Sequence, residues 1–236
     1  MMLKRSFLVS LVTIFAALNV VCDSLPGLSL FEYGVWWSWI FLVVPITGII
    51  LGPYVGFLST FSGVMIGHFI YFRGTPEFLF TMGAPLGAMI SGLLFEGKWK
   101  TVFIFYTVFF IAYLATPVAW QLPIWGMWDT LLAFIGLFIV TIISTMRDGL
   151  FDGLDKKSPY SLAIYAFIGL EADVLFRIFL LVPCQMYQNV YGWSIGVLQA
   201  VWMLASAVTP FQVATSVLVT SIIGTPLIKI ITKIGF

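Results

Sequence analysis

Long apolar runs, separated by short polar or aromatic segments, follow one another along the whole chain. Most of them approach the length of about 20 residues that an α-helix needs to cross a bilayer. A further apolar segment at 194–208 is only about 15 residues long, which favours an interfacial or re-entrant helix on the external side. The pattern predicts an all-α, polytopic transmembrane helical bundle that forms a single domain over residues 1–236. We expect about eight spans, at residues 6–22, 38–51, 54–72, 77–95, 101–119, 129–146, 160–182 and 211–230.

Small residues recur at helical spacing between residues 41 and 100. Positions three or four apart lie on one face of a helix, and small side chains on such a face let helices approach closely in a bilayer. We therefore expect tight packing of the helices at 54–72 and 77–95. The two sets of small residues are Gly52, Gly56, Ser59, Gly63 and Gly67, followed by Gly83, Gly87 and Ser91.

Basic residues mark one side of the predicted bundle. Lys4 and Arg5 precede the first helix, two lysines lie in 96–100, and three bases lie in 147–159. Because cytoplasmic loops are enriched in Lys and Arg, the N- and C-termini are expected in the cytoplasm of a multi-pass cell-membrane protein. Arg73 is then the one base of a connecting segment on the external side.

The composition supports a membrane location and excludes some functions. The chain is 61% hydrophobic and 9% charged, with a mean hydropathy of +1.08, whereas about a quarter of the residues of soluble proteins are charged. The lipid bilayer is therefore the expected surrounding. A net charge of +1 and scattered bases do not form the basic patch of a nucleic-acid-binding protein. Cys22 and Cys184 lack the spacing of a zinc site, so no metal or cofactor is expected, but the topology allows a disulfide between them.

The external end of the bundle is expected to carry aromatic and hydrogen-bonding side chains. A small-molecule pocket combines aromatic surfaces with a few polar groups, although an interfacial aromatic belt with solvated loops has the same composition. Arg73 and Glu77 could pair with each other or hold opposite charges of a ligand. His68 could bind a ligand or cap a neighbouring carbonyl. The candidate substrate-binding residues are Trp36, Trp37, His68, Arg73, Glu77, Trp120, Trp125 and Asn189.

Three charged residues lie inside the predicted span 160–182, namely Glu171, Asp173 and Arg177. Charge within a span is costly unless it is paired or faces a cavity. Asp173 and Arg177 are four residues apart and can pair on one helix face. Glu171 is then protonated, bonded to another helix or directed at a ligand.

One loop offers an enzymatic interpretation. Asp148, Asp152 and Asp155 resemble the aspartate-rich motifs with which membrane transferases bind Mg²⁺ and diphosphate. Lys156 and Lys157 can neutralise these aspartates, which favours a solvated loop instead. The chain contains no H-E-x-x-H motif, nucleophile elbow or Walker glycine loop, so we do not expect an enzyme, and ATP-driven transport would need separate ATPases.

Several segments together resemble one family of membrane proteins. A basic N-terminus precedes a first helix with a face of small residues, Pro26-Gly27 follows in a loop, and Leu51-Gly52-Pro53 ends a short second helix. The sequences GAPLGAMISGLL, EGKWK and PFQVATSVLVTSIIGTPLIKII complete the pattern. In this order the features resemble the substrate-binding S components of energy-coupling factor (ECF) vitamin transporters, over residues 6–100 and 205–233. Residues 101–204 would be additional helices, since the family typically has six.

The resemblance implies a function and two kinds of partner. An S component captures a vitamin from outside and docks through its first helix onto a transmembrane coupling subunit driven by two ABC ATPases. Carried onto this chain, the docking face would be Ser6, Ser10, Thr13 and Ala17. The leading hypothesis is therefore a substrate-capture subunit of an ECF-type importer for a small water-soluble vitamin or precursor. The alternatives are a transferase acting on a lipid-linked diphosphate and a structural subunit of a larger membrane complex.

Overall fold

A computed structural model describes residues 5–27, 38–146 and 156–234 of the 236-residue chain. All regular structure in these ranges is helical, which confirms the all-α class for the described residues. Short 3₁₀ turns lie at Trp39–Leu42, Pro117–Gln121 and Ile124–Met127. The α-helices are α1 (Arg5–Ser24), α2 (Val44–Leu51), α3 (Pro53–Ile70), α4 (Thr75–Phe80), α5 (Gly83–Phe95), α6 (Trp99–Leu114), α7 (Trp128–Met146), α8 (Pro159–Leu181), α9 (Met186–Asn189) and α10 (Ile195–Ile234).

Several helical segments have the length and hydropathy of membrane spans, which indicates a membrane protein. A sixth helix, α6, is apolar but shorter, and the total of eight spans stays a prediction. Five segments in the described ranges are both long enough and apolar enough, namely Ser6–Ser24, Pro53–Ile70, Thr75–Phe95, Ile124–Ile143 and Ile195–Lys233.

The small-residue face of α3 packs against α1, as the spacing predicted. The Ser59 hydroxyl donates to the Val12 carbonyl at 3.4 Å, and a Cβ atom added to Gly63 or Gly67 would overlap Asn19 or Asp23 respectively. Because the contact positions rise together along both helices, α1 and α3 run parallel. Close approach of this pair therefore depends on glycine.

The second set of small residues brings α5 against α8. A Cβ atom on Gly83 would overlap the Asp173 carboxylate, and one on Gly87 would lie 3.0 Å from the Gly169 carbonyl oxygen. The Ser91 hydroxyl donates to the Tyr165 carbonyl at 3.2 Å. Here the numbers rise on one helix as they fall on the other, so α5 and α8 are antiparallel.

The predicted second helix, 38–51, is divided into a 3₁₀ turn and the short helix α2. Pro45 lies in the first turn of α2, where a missing N–H group breaks no intrahelical bond, rather than in the middle of a helix as predicted. With eight residues, α2 is about 12 Å long and cannot cross a bilayer alone. Seven of those residues are buried, so α2 is a central element of the bundle.

The predicted fourth helix, 77–95, is interrupted at Thr81 and Met82, between α4 and α5. Pro85 has no N–H group to donate to the Thr81 carbonyl four residues earlier. That carbonyl accepts the Ala84 N–H at 3.1 Å instead, a tighter turn that ends the α-helical geometry. Thr81, at this break, is buried.

The prediction of a separate external helix at 194–208 is wrong. Residues 195–234 form one helix of 40 residues with Pro210 and Pro226 inside it. Its length of about 60 Å is twice the thickness of the hydrocarbon core. Pro210 cannot donate to the Ser206 carbonyl, but the Trp128 indole donates to that oxygen at 3.1 Å. The lost bond is thus replaced from another element, which spacing along α10 could not reveal.

Two ends of the bundle carry different charges. At the end we call the Lys98 end, Lys98 Nζ lies 5.9 Å from the centre of the Tyr54 ring, and a Cβ atom on Gly97 would lie 3.6 Å from Lys156 Nζ. At the other, the Arg73 end, Arg73 contacts Asp23 at the end of α1. Arg73 is therefore separated from these lysines, as the charge pattern predicted.

Gly48 of α2 should tolerate no side chain, because a Cβ atom there would overlap the backbone carbonyl of Ala88 in α5. We expect Gly48→Ala to destabilise the protein by about 1–3 kcal/mol, the usual cost of overpacking. The control is Gly136→Ala in α7, where nothing lies within 4 Å of the added atom and a gain of up to about 1 kcal/mol is expected. Thermal unfolding of the purified protein in detergent measures both, and equal stabilities would contradict the packing described.

Candidate functional site

A buried polar cluster lies where α1, α3 and α4 meet at the Arg73 end. Arg73 Nη2 lies 2.6 Å and His68 Nδ1 2.8 Å from the same Asp23 oxygen, Oδ2. The Ser38 hydroxyl donates to the other oxygen, Oδ1, at 2.9 Å. Asp23 and His68 have no exposed surface. One carboxylate therefore organises three side chains from separate segments of the chain.

His68 is fully engaged in this cluster. Its Nδ1 must carry the hydrogen, because a carboxylate can only accept, and this nitrogen therefore cannot accept from Arg73 at 3.2 Å. Its Nε2 lies 3.0 Å from the Thr81 hydroxyl, which the break between α4 and α5 directs inward. His68 also contacts a backbone carbonyl, which was the other role considered for it: Nδ1 lies 3.0 Å from the Val64 carbonyl oxygen.

Arg73 and Glu77 do not pair with each other, which was one of the two alternatives for them, and the ligand-binding alternative stays a prediction. Arg73 pairs with Asp23, which the parallel packing of α1 and α3 brings beside it across Gly67. Glu77 is 5% exposed and accepts a hydrogen bond from the Tyr191 hydroxyl at 3.4 Å. Burial, and then the charge of Glu77, raise the pKa of Tyr191, so its hydroxyl keeps the proton that it donates. The sequence interpretation missed Asp23 because it treated this residue as the start of a loop.

The remaining candidate substrate-binding residues are spread over the surface. Trp120 is 75% exposed and its indole donates to the Leu114 carbonyl at 2.9 Å, while Trp125 and Asn189 are also exposed. Trp36 and Trp37 lie outside the described residues. The binding role assigned to this set stays a prediction.

The two cysteines are not joined. Cys22 and Cys184 are both free thiols, so the disulfide that the topology allowed is absent. Cys22 lies on the half-buried side of α1, whereas Cys184 is exposed in the segment after α8. Both residues were expected at the same end of the bundle, but a shared end does not set their separation.

The predicted pair on α8 is confirmed. Arg177 Nε lies 2.6 Å from Asp173 Oδ1, and Arg177 Nη2 lies 3.0 Å from Asp173 Oδ2. This bidentate geometry uses both carboxylate oxygens and neutralises both charges. The third charged residue of α8, Glu171, takes no part in it.

Glu171 is instead bonded to another helix. The Thr130 hydroxyl of α7 donates to Glu171 Oε2 at 2.9 Å, and the Thr130 backbone N–H donates to Asp129 Oδ1 at 3.0 Å. Glu171 is completely buried and Asp129 is 3% exposed. Within the described part of the chain, the second oxygen of each carboxyl group, Glu171 Oε1 and Asp129 Oδ2, has no hydrogen-bond partner. Two buried carboxyl groups that share Thr130 as a donor are therefore each left with one oxygen that accepts no hydrogen bond.

A cavity of about 160 Å³ lies between α8, the first half of α10 and the turns that precede α2 and α7. Its wall is largely apolar, with convergent polar groups and aromatic rings, the composition of a small-molecule site. The aromatic lining residues are Phe41, Phe80, Trp193 and Trp202. The polar lining residues are Ser38, Asp129, Thr130, Asp173, Arg177, Thr209 and Gln212.

The sequence interpretation missed most of this cavity. It identified Asp173 and Arg177, but it assigned 194–208 and 211–230 to different helices and so overlooked their common face. Trp202, Thr209 and Gln212 are seven and three residues apart, the spacing of one helix face that continues through Pro210. This spacing was the sequence signal that could have revealed the cavity-facing side of α10.

Comparisons with known proteins do not add to this description. Neither a family model, nor a curated protein, nor a solved structure matches the chain. Among the described residues, no three His, Cys, Asp or Glu side chains are grouped so that they could hold a metal ion. A functional assignment depends on the geometry and chemistry of the cavity and of the helix faces.

Asp23→Asn should destabilise the protein strongly, because the side chains of Arg73 and Asp23 are 2% and 0% exposed and Arg73 would lose its counter-charge. Breaking a buried pair from one side costs about 3–5 kcal/mol. Unfolding in detergent measures the change, and Asp23→Asn with Arg73→Met should restore part of the loss. Glu96→Gln is the control, since the Glu96–Lys98 pair is exposed and its removal should have no measurable effect. Equal effects of Asp23→Asn and Glu96→Gln would disprove the role of Asp23.

Proposed function

We propose that this protein is the substrate-capture subunit of an ECF-type importer in the cell membrane. It binds a small water-soluble vitamin or precursor and catalyses no reaction itself. The observation that carries the proposal is the cavity at the Arg73 end, in which Trp193 and Trp202 provide ring surfaces and Asp173, Arg177 and Gln212 provide polar groups. A ligand held by stacking and hydrogen bonds needs nothing more from the protein.

The charge distribution supports capture from outside. In an eight-span arrangement with cytoplasmic termini, the Lys98 end faces the cytoplasm, in agreement with the positive-inside rule. The Arg73 end then faces outward. The cavity lies in that half of the bundle, since its wall includes Ser38, whose hydroxyl donates to Asp23. A solute would reach the cavity without crossing the membrane first.

The surface of α1 supports docking onto a coupling subunit and its ABC ATPases. Ser6, Ser10, Thr13 and Ala17 are all exposed, on the side of α1 that faces away from α3. The Ser10 and Thr13 hydroxyls donate to the Ser6 and Val9 carbonyls of their own helix at 3.0 Å, which satisfies them in an apolar surrounding. A face of small, internally satisfied residues allows a partner helix to approach closely.

The other two hypotheses have less support. Asp148, Asp152 and Asp155, on which a transferase would depend, lie outside the described residues. A purely structural subunit would use the Asp173–Arg177 pair to join helices, but both residues belong to α8 and line the cavity. A pair within one helix does not connect that helix to another.

Native mass spectrometry of the purified protein should detect a retained small molecule. Trp193→Ala and Gln212→Ala remove cavity contacts and should release this molecule. Trp120→Ala is the matched control, because Trp120 is 75% exposed and does not line the cavity. Absence of any retained molecule, or release by Trp120→Ala alone, would contradict capture in this cavity.

Substitution of the small-residue face should uncouple the protein from its ATPases. Ser10→Trp or Thr13→Trp places a large ring on the exposed face of α1 and should abolish co-purification with an ABC ATPase pair from native membranes. Ile142→Trp on α7, where Ile142 is 41% exposed, should leave co-purification unchanged. If all three variants retain the ATPases, the face is not the docking surface.

A further inference from the structure

We infer that the ligand of the cavity is an organic cation, a molecule with one planar ring and a protonated amine that binds Asp129. The inference concerns the substrate class and rests on the proposed capture function. Its basis is the juxtaposition of Asp129, an open buried carboxylate, with the aromatic rings of the same cavity.

The charged side chains in this half of the bundle differ in whether they have a partner of opposite charge. Two carboxylates are neutralised by guanidinium groups, in the pairs Asp23–Arg73 and Asp173–Arg177. Arg177 lines the cavity, but its Nε and Nη2 are committed to Asp173, so this pair contributes no net positive charge. Asp129 and Glu171 form no ion pair with any described residue. Among the charged side chains that line the cavity, Asp129 is therefore the one without an opposite charge beside it in the described residues, so a cation could pair with it, whereas an anion would find Arg177 already paired.

The open oxygens require hydrogen-bond donors. Asp129 and Glu171 each use one oxygen on Thr130, and the partner oxygen of each remains without a donor from the protein. A buried acceptor without a partner is destabilising, and the cost is greater for a charged group. Asp129 lines the cavity, but Oδ2 itself has almost no accessible surface, so its carboxyl group must turn toward the cavity to accept from a bound molecule. A protonated amine supplies both the donor and the compensating charge.

The rings in the wall favour a planar cation. Trp202 stacks on Tyr113 with ring centres 5.8 Å apart, and Trp193 stacks on Tyr191 at 4.6 Å, so each indole is held rigidly beside the cavity. Aromatic faces attract cations and stack on planar rings. The volume of about 160 Å³ suits one ring with a short substituent, since a cavity of about 150 Å³ holds a molecule the size of benzene.

Four probes with the same phenyl ring and different charge, two of them of equal size, test the inference on the unsubstituted protein. They are phenethylammonium, 2-phenylethanol, L-phenylalanine and 3-phenylpropanoate, titrated by calorimetry into detergent-purified protein freed of any retained molecule. Phenethylammonium should bind at least about tenfold more tightly than 2-phenylethanol, the effect of one charge-assisted hydrogen bond, and 3-phenylpropanoate should not bind. Tighter binding of the zwitterion or the anion would overturn the inference, because Arg177 would then be the anchor. If sodium ions bind the cavity as tightly as phenethylammonium does, the ligand is an inorganic cation, and the inference is again overturned.

Substitution of Asp129 locates the charge. Asp129→Asn should weaken phenethylammonium at least about tenfold and leave 2-phenylethanol within about twofold, since only the charged interaction is lost. Glu96→Gln, at the Lys98 end, should change neither affinity. An unchanged preference for the cation in Asp129→Asn would refute the role of Asp129. The probe series needs no variant, so the test holds even if this substitution impairs folding.

Failure of this inference differs from failure of the proposed function. If native mass spectrometry detects a retained anion or neutral molecule and the cationic probe does not bind, capture stands and the cationic class is wrong. If no molecule is retained and none of the four probes binds, the capture function itself is wrong and the inference falls with it.

Discussion

The requirement that buried charge be paired governs the Arg73 end of this bundle, and glycine makes the pairing possible. Asp23 reaches Arg73 and His68 only because Gly67 has no side chain, since a Cβ atom there would overlap the carboxylate. Gly83 makes the same allowance for Asp173, which then forms its bidentate pair with Arg177. The glycine-lined faces therefore do more than bring helices together. They also provide the space in which two carboxylates meet their counter-charges away from water.

Once these two ion pairs are formed, other buried carboxyl groups of the described residues are left without a basic partner. Asp129 and Glu171 share Thr130 as a donor, and neither has a guanidinium or ammonium partner in the described part of the chain. The bundle could have closed around apolar residues at both positions at a lower cost in desolvation. Only Asp129 of the two lines the cavity, and a half-satisfied carboxyl in a cavity wall is an arrangement expected where a protein exchanges stability for binding. The polar groups that the fold does not use are those that a ligand can use.

Local pattern was sufficient for much of this fold. Apolar length predicted α1, α3, α7 and α8 to within a few residues, small-residue spacing predicted two helix contacts, and a separation of four residues predicted the Asp173–Arg177 pair. The errors concern partners that are remote in sequence. Arg73 had a carboxylate four residues away in Glu77, yet it pairs with Asp23, because the register of α1 on α3 decides which carboxylate is adjacent. The cavity was missed for the same reason, since its wall combines residues from six separate helical elements.

Pro210 illustrates how such remote contacts also shape the site. A proline inside a helix normally disrupts it by removing one hydrogen bond and crowding the preceding turn. In α10 the Ser206 carbonyl that loses its donor accepts the Trp128 indole instead, 78 residues away. This bond fixes the first residue of α7 against α10, and the next residue of α7 is Asp129. This contact therefore links the turn of α10 that precedes its proline to the residue next to the open carboxyl.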